Sequence, residues 1–221
     1  MKKQLLFSAS ILFSSLLFAQ QAPAFGIRAG VTSAGIRGEA VNSMKDLVEV
    51  ADGAVTTGNR TGFFAGGYVT IPVSQTVSIE PSLNYTQKGY MMRGDLNLKG
   101  VEFLGANARA QLTSHYIDLP VVLKANMGGF QVFAGPHVSY LAKADLRATA
   151  GALGFNFLKR TMDATGQMNR WDAGLTGGIG YQFKNGVNLS AAYDHGLMRA
   201  DAGQSADVYN RAVKVGVGIS F

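Results

Sequence analysis

Three acidic residues, Glu80, Asp172 and Asp194, stand in strongly patterned segments of the chain. Paired carboxylates are the equipment of glycoside hydrolysis. The pattern around them puts Asp172 and Asp194 toward one end of the fold and Glu80 toward the other, so that pairing is not expected. The three histidines, His115, His137 and His195, lie 22 and 58 residues apart, without the close spacing of metal ligands. No Gly-x-Ser-x-Gly elbow presents a nucleophile. Gly177-Gly178-Ile179-Gly180 opens no helix, so it is no phosphate cradle. The absence of cysteine removes thiolate catalysis, thiolate zinc sites and disulfides together. No catalytic residue, metal or cofactor is expected. What remains is charge pairing. Arg28, Glu80, Asp118, Lys124 and Lys214 fall on one face of alternating segments, and opposite charges in a confined interior must neutralise one another. Glu80 and Lys124 are expected to form an ion pair, with Arg28 or Lys214 as further members.

The elements that hold these residues follow from composition and period. The chain has 221 residues, enough for one ordinary domain, and is 47% hydrophobic but only 15% charged, against about 25% in a typical globular chain. Its formal charge of +6 falls by two without Lys2 and Lys3, and the rest is scattered. No basic stripe or reader motif points to nucleic acid. Lys2 and Lys3 precede an apolar run from Leu5 to Phe18 and then small residues, the order of a secretory signal. Cleavage is expected after Ala19, with Ala24 as the competing site, so that 1–19 is a signal peptide, 20–24 a short periplasmic lead-in and 25–221 the domain.

After the leader the period is two. Val77, Ile79, Pro81, Leu83 and Tyr85 alternate with polar residues, which is the pattern of a strand with one apolar face. Seven further segments begin near Phe25, Phe63, His115, Phe130, Trp171, Val187 and Arg211. Short connections (74–76, 126–129, 184–186) alternate with long ones (32–62, 88–114, 143–170, 197–210). An up-and-down order then places all short turns at one end and all long loops at the other. The expected fold is all-β: an eight-stranded antiparallel up-and-down transmembrane β-barrel.

A soluble carrier barrel has the same period with its faces reversed. Charges and glycines choose between the two. The apolar face carries Arg211 alone, at the start of the last strand. The polar face carries Arg28, Glu80, Lys88, Asp118, Lys124, Lys143, Asp172, Asp194 and Lys214, together with many glycines that suit a narrow interior. Aromatics on the apolar face form two bands, as expected where a barrel crosses two membrane interfaces. Phe25, Phe130, Phe183 and the terminal Phe221 lie near the short turns, and Tyr85, Tyr140, Trp171 and Tyr193 near the long loops. Pro72, Pro81, Pro120 and Pro136 fall inside expected strands, where a closed ladder lacks a donor; Pro72 and Pro120 are expected to mark strand ends or bulges, and local bulges are expected at Pro81 and Pro136.

Several segments carry a family resemblance: Phe25–Val31, Gly62–Tyr68, Ile79–Gly89, Tyr116–Lys124, Phe133–Pro136, Asp172–Gly180 and Tyr193–Leu197. The chain resembles the porin-like outer membrane β-barrel family of Bacteroidota-type bacteria, the group that includes PorT-like proteins. The resemblance spans the mature chain except the long loops, and Pro81 and Pro136 sit inside its motifs. It implies an outer-membrane location and contact with the lipid bilayer, but no single activity. Phe221, after alternating Val213, Val215, Val217 and Ile219, looks like the signal read by the outer-membrane insertion machinery.

The lumen of eight strands leaves little bore, so a polar plug is expected, with a narrow conduit for small solutes or ions as the alternative. Val41, Met44, Leu47 and Val48 have the spacing of a short helix over the mouth. Leu96–Leu98 and Val101–Phe103 around Lys99-Gly100 read as a hairpin extending two strands past the membrane. These loops are where a protein or surface-polymer partner would bind.

Overall fold

The computed structural model describes residues 22–38, 55–96, 106–152, 155–203 and 207–221. The leader (1–19) and the expected helix at 41–48 lie outside the described residues, as does the tip of the second loop.

Nine antiparallel strands form: β1 (Ala24–Arg37), β2 (Val55–Pro72), β3 (Val77–Leu96), β4 (Ala106–Met127), β5 (Phe130–Ala152), β6 (Phe155–Asp163), β7 (Trp171–Gln182), β8 (Val187–Arg199) and β9 (Tyr209–Ser220). Eight of them close into a ring. Neighbours in sequence pair with one another, β5 passes directly to β7, and β9 returns to β1. The seam is held at its end by Phe221, whose amide donates to Phe25 O at 2.8 Å while Phe25 N donates back at 3.2 Å. A closed ring leaves no strand edge unpaired, which is what a β structure needs to stand in lipid.

Alternation sets the two faces. Ile27, Val31, Leu83, Leu123, Val132, Val215 and Val217 all point outward and are exposed. With their neighbours they make a continuous apolar belt, far beyond the few hundred Å² that a soluble monomer exposes. The inward positions are tightly filled. At Gly30 an added Cβ would lie 2.1 Å from Val215 O, and at Gly135 2.0 Å from Val121 O. Small residues on this face let adjacent strands approach around a narrow ring.

The turns at one end are short. Gly186 has φ +88° and closes the loop after Phe183, whose amide donates to Val187 O at 2.8 Å. Here the three-residue loop with a left-handed glycine is as expected. The turn between β4 and β5 is shorter than expected. Only Gly128 and Gly129 separate the strands, with φ of +62° and +98°, the positive pair that a tight hairpin requires.

At the other end the expected long loops are largely strand. β3, β4 and β5 run 20, 22 and 23 residues, about twice what the bilayer needs. The added strand β6 pairs with the outer half of β5, so it stands outside the ring. Two further expectations are corrected. Pro72 ends β2, as one of its two expected readings had it, whereas Pro81, Pro120 and Pro136 cause no bulge. Pairing of β3 with β4 skips from Pro81↔Val121 to Asn84↔Asp118, and that of β4 with β5 from Pro120↔His137 to Leu123↔Ala134, each in unchanged register. The ladder tolerates the missing donors as local gaps. One of four register shifts among the described strands lies between Leu141 and Lys143, opposite Tyr116 and His115. It turns Lys143 out of the lumen, where its side chain is 56% exposed and bonds Asp145 at 2.8 Å.

Candidate functional site

With Lys143 outside, the lumen holds two charge clusters, one above the other. The lower one centres on Glu80 of β3, whose side chain is 1% exposed. One carboxylate oxygen accepts from the Arg28 guanidinium of β1 and the other from the Lys124 ammonium of β4. Thr70 Oγ1 adds a bond to Glu80 Oε2 at 3.0 Å. The Arg28 guanidinium also lies over the Tyr68 ring at 4.2 Å, and the Tyr68 hydroxyl accepts from Asn188 Nδ2 at 2.7 Å. Three ring strands besides β3, namely β1, β2 and β4, thus meet on this one carboxylate and its cations, and β8 joins through Tyr68.

The upper cluster centres on Asp118 of β4. Lys88 of β3 reaches it at 3.1 Å and Lys214 of β9 at 2.9 Å. Lys214 also bonds Asp194 of β8 at 2.7 Å, and Thr176 Oγ1 donates to the same carboxylate at 2.7 Å. Asp172 of β7 accepts from Asn210 Nδ2 at 2.9 Å. The five residues singled out from sequence therefore divide. Arg28, Glu80 and Lys124 come together below, whereas Asp118 and Lys214 meet above with Lys88 and Asp194. The two clusters together hold four bases and four acids. Each carboxylate is engaged by a cation or an amide, and Glu80 lies in a different cluster from Asp172 and Asp194. Among the described residues no three His, Asp or Glu side chains converge as a metal would require.

Between the clusters lies a cavity of about 50 Å³, bounded by Arg28, Phe64, Asp118, Phe133, His137 and Lys214. That is room for a few waters and no more. Above it, the space among Lys88, His137 and Asp172 admits none. The outer mouth is closed by an apolar seal that sequence reasoning missed. Leu112, Tyr116, Leu141 and Ala144 are buried together, with Tyr90, Leu146, Ala164 and Met168 against them. The signal was weak because Leu112 and Ala144 fall in stretches that read as loop. The segment after β6 completes the seal. Thr165 Oγ1 accepts from Ala144 N at 3.0 Å, fixing a short 3₁₀ turn, Thr165–Gln167, over the mouth. Hydrogen bonds from Thr165 to Asp163 hold that exposed carboxyl below its usual pKa.

The outward aromatics lie at two levels. Phe25, Phe130, Phe183 and Phe221 are exposed near the short turns, joined by Tyr181, which contacts Phe183 edge-on at 4.9 Å. Tyr140, Trp171 and Tyr193 are exposed at the other level, and Tyr140 packs edge-on against Trp171 at 5.1 Å. Tyr85 is half-buried beside Phe63, and its hydroxyl meets His115 Nδ1 at 2.5 Å. Phe63 and Tyr181 were not assigned to either aromatic band from sequence. Trp171 is the single tryptophan of the chain, so it reports the height of the upper band. Its fluorescence is expected to be quenched strongly by lipids brominated near the headgroup and weakly by lipids brominated at the chain end. The reverse order would place the upper band at the bilayer centre.

Several known proteins are similar to this chain. Neisserial surface protein A is 13% identical over 91% of this chain and 100% of its own, with a TM-score of 0.47. The attachment invasion locus protein Ail of Yersinia pestis is 13% identical over 91% and 100%, with a TM-score of 0.41. OprG from Pseudomonas aeruginosa is 14% identical over 91% and 97%, with a TM-score of 0.41. No curated protein matches the sequence. Residues 18–201 match the family described as outer membrane protein beta-barrel domain. The chain belongs to that family, and its place is the outer membrane.

Proposed function

We propose that the protein is a closed barrel whose work is done at its extracellular surface, as a structural or surface-interaction element, and that it catalyses no reaction. The lumen carries this reading. Two ion clusters, a cavity of about 50 Å³ and an apolar seal at the mouth follow one another along the axis. An extended outer sheet built on so rigid a base favours binding over transport, since loops and projections on rigid scaffolds usually carry recognition. On the same reading, residues 1–19 direct export and are removed, 20–24 lead into the barrel, and Phe221 is read by the insertion machinery. The PorT-like subgroup rests on the sequence motifs alone.

The test has two parts on one preparation. The refolded mature chain is expected to migrate differently on a denaturing gel before and after boiling, because a closed sheet has no edge from which to fray. In planar bilayers it is expected to give no steady conductance. Discrete conductance steps would replace the plug by the second reading, a narrow porin-like conduit for small polar solutes or ions, which the charged lining favours. Loss of the gel shift with solubility in the absence of detergent would return the soluble periplasmic carrier of an apolar ligand.

A further inference from the structure

The sheet that stands beyond the ring has two unlike faces. Its inner face continues the mouth seal through Tyr90, Leu112 and Leu146. Its outer face is basic. One cross-strand row runs Arg93 on β3, Arg109 on β4, Thr149 on β5 and Lys159 on β6. In the next row down, Arg147 lies between Gln111 and Thr161. All four cations are exposed, and among the described residues none of them forms an ion pair. Asp95 stands one row above, opposite Asn107, and Asp145 and Asp163 pair one row lower, where Asp145 is already engaged by Lys143.

Arg93 and Arg109 are direct cross-strand partners. Like charges in that relation destabilise a pair of strands, and among the described residues no ion pair to either of them forms. Guanidinium forks are suited to bidentate contact with carboxylate, phosphate or sulfate. The missing counter-charge is therefore external.

Height selects its source. Arg93 lies eight residues beyond Tyr85 on β3, and Arg109 eight before Ile117, the partner of Tyr85 on β4. At about 3.4 Å per residue and a tilt of about 40°, the row stands roughly 20 Å above the upper aromatic band. The headgroup zone is only about 5–8 Å deep on each side. Lys143, three residues past Tyr140, is at headgroup level and already paired. The arginine row is above the lipid phosphates, among the saccharides that stand outside the membrane.

We propose that this face binds an anionic polysaccharide of the cell surface, with Arg93, Arg109, Arg147 and Lys159 holding its acidic groups. The proposal rests on the reading above, that the extracellular surface is the working part. The probe is dextran sulfate, with neutral dextran, poly-glutamate and phosphatidylglycerol vesicles as comparators, added to the refolded mature protein in zwitterionic detergent. Dextran sulfate is expected to bind in a salt-dependent manner, and neutral dextran not at all. Arg109→Glu is expected to weaken binding by about tenfold or more. Lys184→Glu, an equal change of net charge in a short turn, is expected to leave it unchanged. Because Arg109→Glu opposes Arg93 with a carboxylate, the variant should keep its gel shift to a temperature at least as high as the parent.

Equal losses in the two variants would overturn the proposal, since net charge alone would then explain binding. So would tighter binding of poly-glutamate at equal charge, which would point to an acidic protein segment, or binding of the vesicles alone, which would point to lipid. Gel shift and conductance, measured on the same preparation, test the closed barrel independently. If both hold and dextran sulfate fails, only this inference falls.

Discussion

Replacing Glu80 with alanine is expected to lower the unfolding free energy of the barrel by about 3–5 kcal/mol, the range for breaking a buried ion pair from one side. Glu80 is the only acid in contact with both Arg28 and Lys124 among the described residues, and its side chain is 1% exposed. Its removal leaves two cations facing each other in an interior with room for a few waters. Lys124→Met should cost clearly less, because Arg28 and Glu80 then remain as a matched pair. Lys143→Ala, on an exposed pair outside the lumen, should cost less than about 1 kcal/mol. The measurement is the urea midpoint of the gel-shifted form in lipid vesicles, with the slope compared across variants. A loss below about 1 kcal/mol for Glu80→Ala would mean that water screens the lower cluster. The lumen would then be wet enough to revive the conduit, so this variant also tests the plug.

What was legible in the sequence follows the membrane. Inside the belt each strand has lipid on one side and a crowded lumen on the other, so apolar and polar residues must alternate. That alternation locates all eight ring strands and the inward position of Glu80. Beyond the belt the constraint lapses. The stretch Ala144-Asp145-Leu146-Arg147-Ala148 has an apolar face, but its other face meets water, and its small residues read as loop. Strand β6 and the outer half of β5 were lost for that reason, and the mouth seal with them, whereas the extension of β3 and β4 was legible as the expected hairpin past the membrane. Lys143 was assigned to the lumen by strict counting, and a single bulge opposite His115 and Tyr116 reverses it. A bulge inserts one residue without any composition that announces it. The prolines erred the other way. Their missing donors are real, yet the ring holds register across them, because strands closed on both sides have no edge toward which to slip.

Gly135→Val is expected to abolish the gel-shifted form, whereas Gly177→Val should leave it intact. Both are glycines on adjoining strands, and they differ in the face they present. Gly135 points inward with Phe133 and His137, where an added Cβ would lie 2.0 Å from Val121 O and 2.8 Å from Val122 Cα. Backbone atoms cannot swing aside as a side chain does, so β4 and β5 would have to part. Overpacking of a flexible core costs about 1–3 kcal/mol, and a clash against a closed ladder should exceed that range. At Gly177 the nearest atoms are Phe133 O at 3.7 Å and Ala134 Cβ at 3.9 Å, ordinary contacts on the lipid side. Valine there adds apolar surface to the belt and suits a strand better than glycine. The two variants distinguish the crowded face from the lipid face, and the lumen, the plug and the height of the outer sheet all depend on that distinction. If Gly135→Val folds as well as Gly177→Val, the glycine face is not the crowded one. In that case no steric crowding holds the charged face inward.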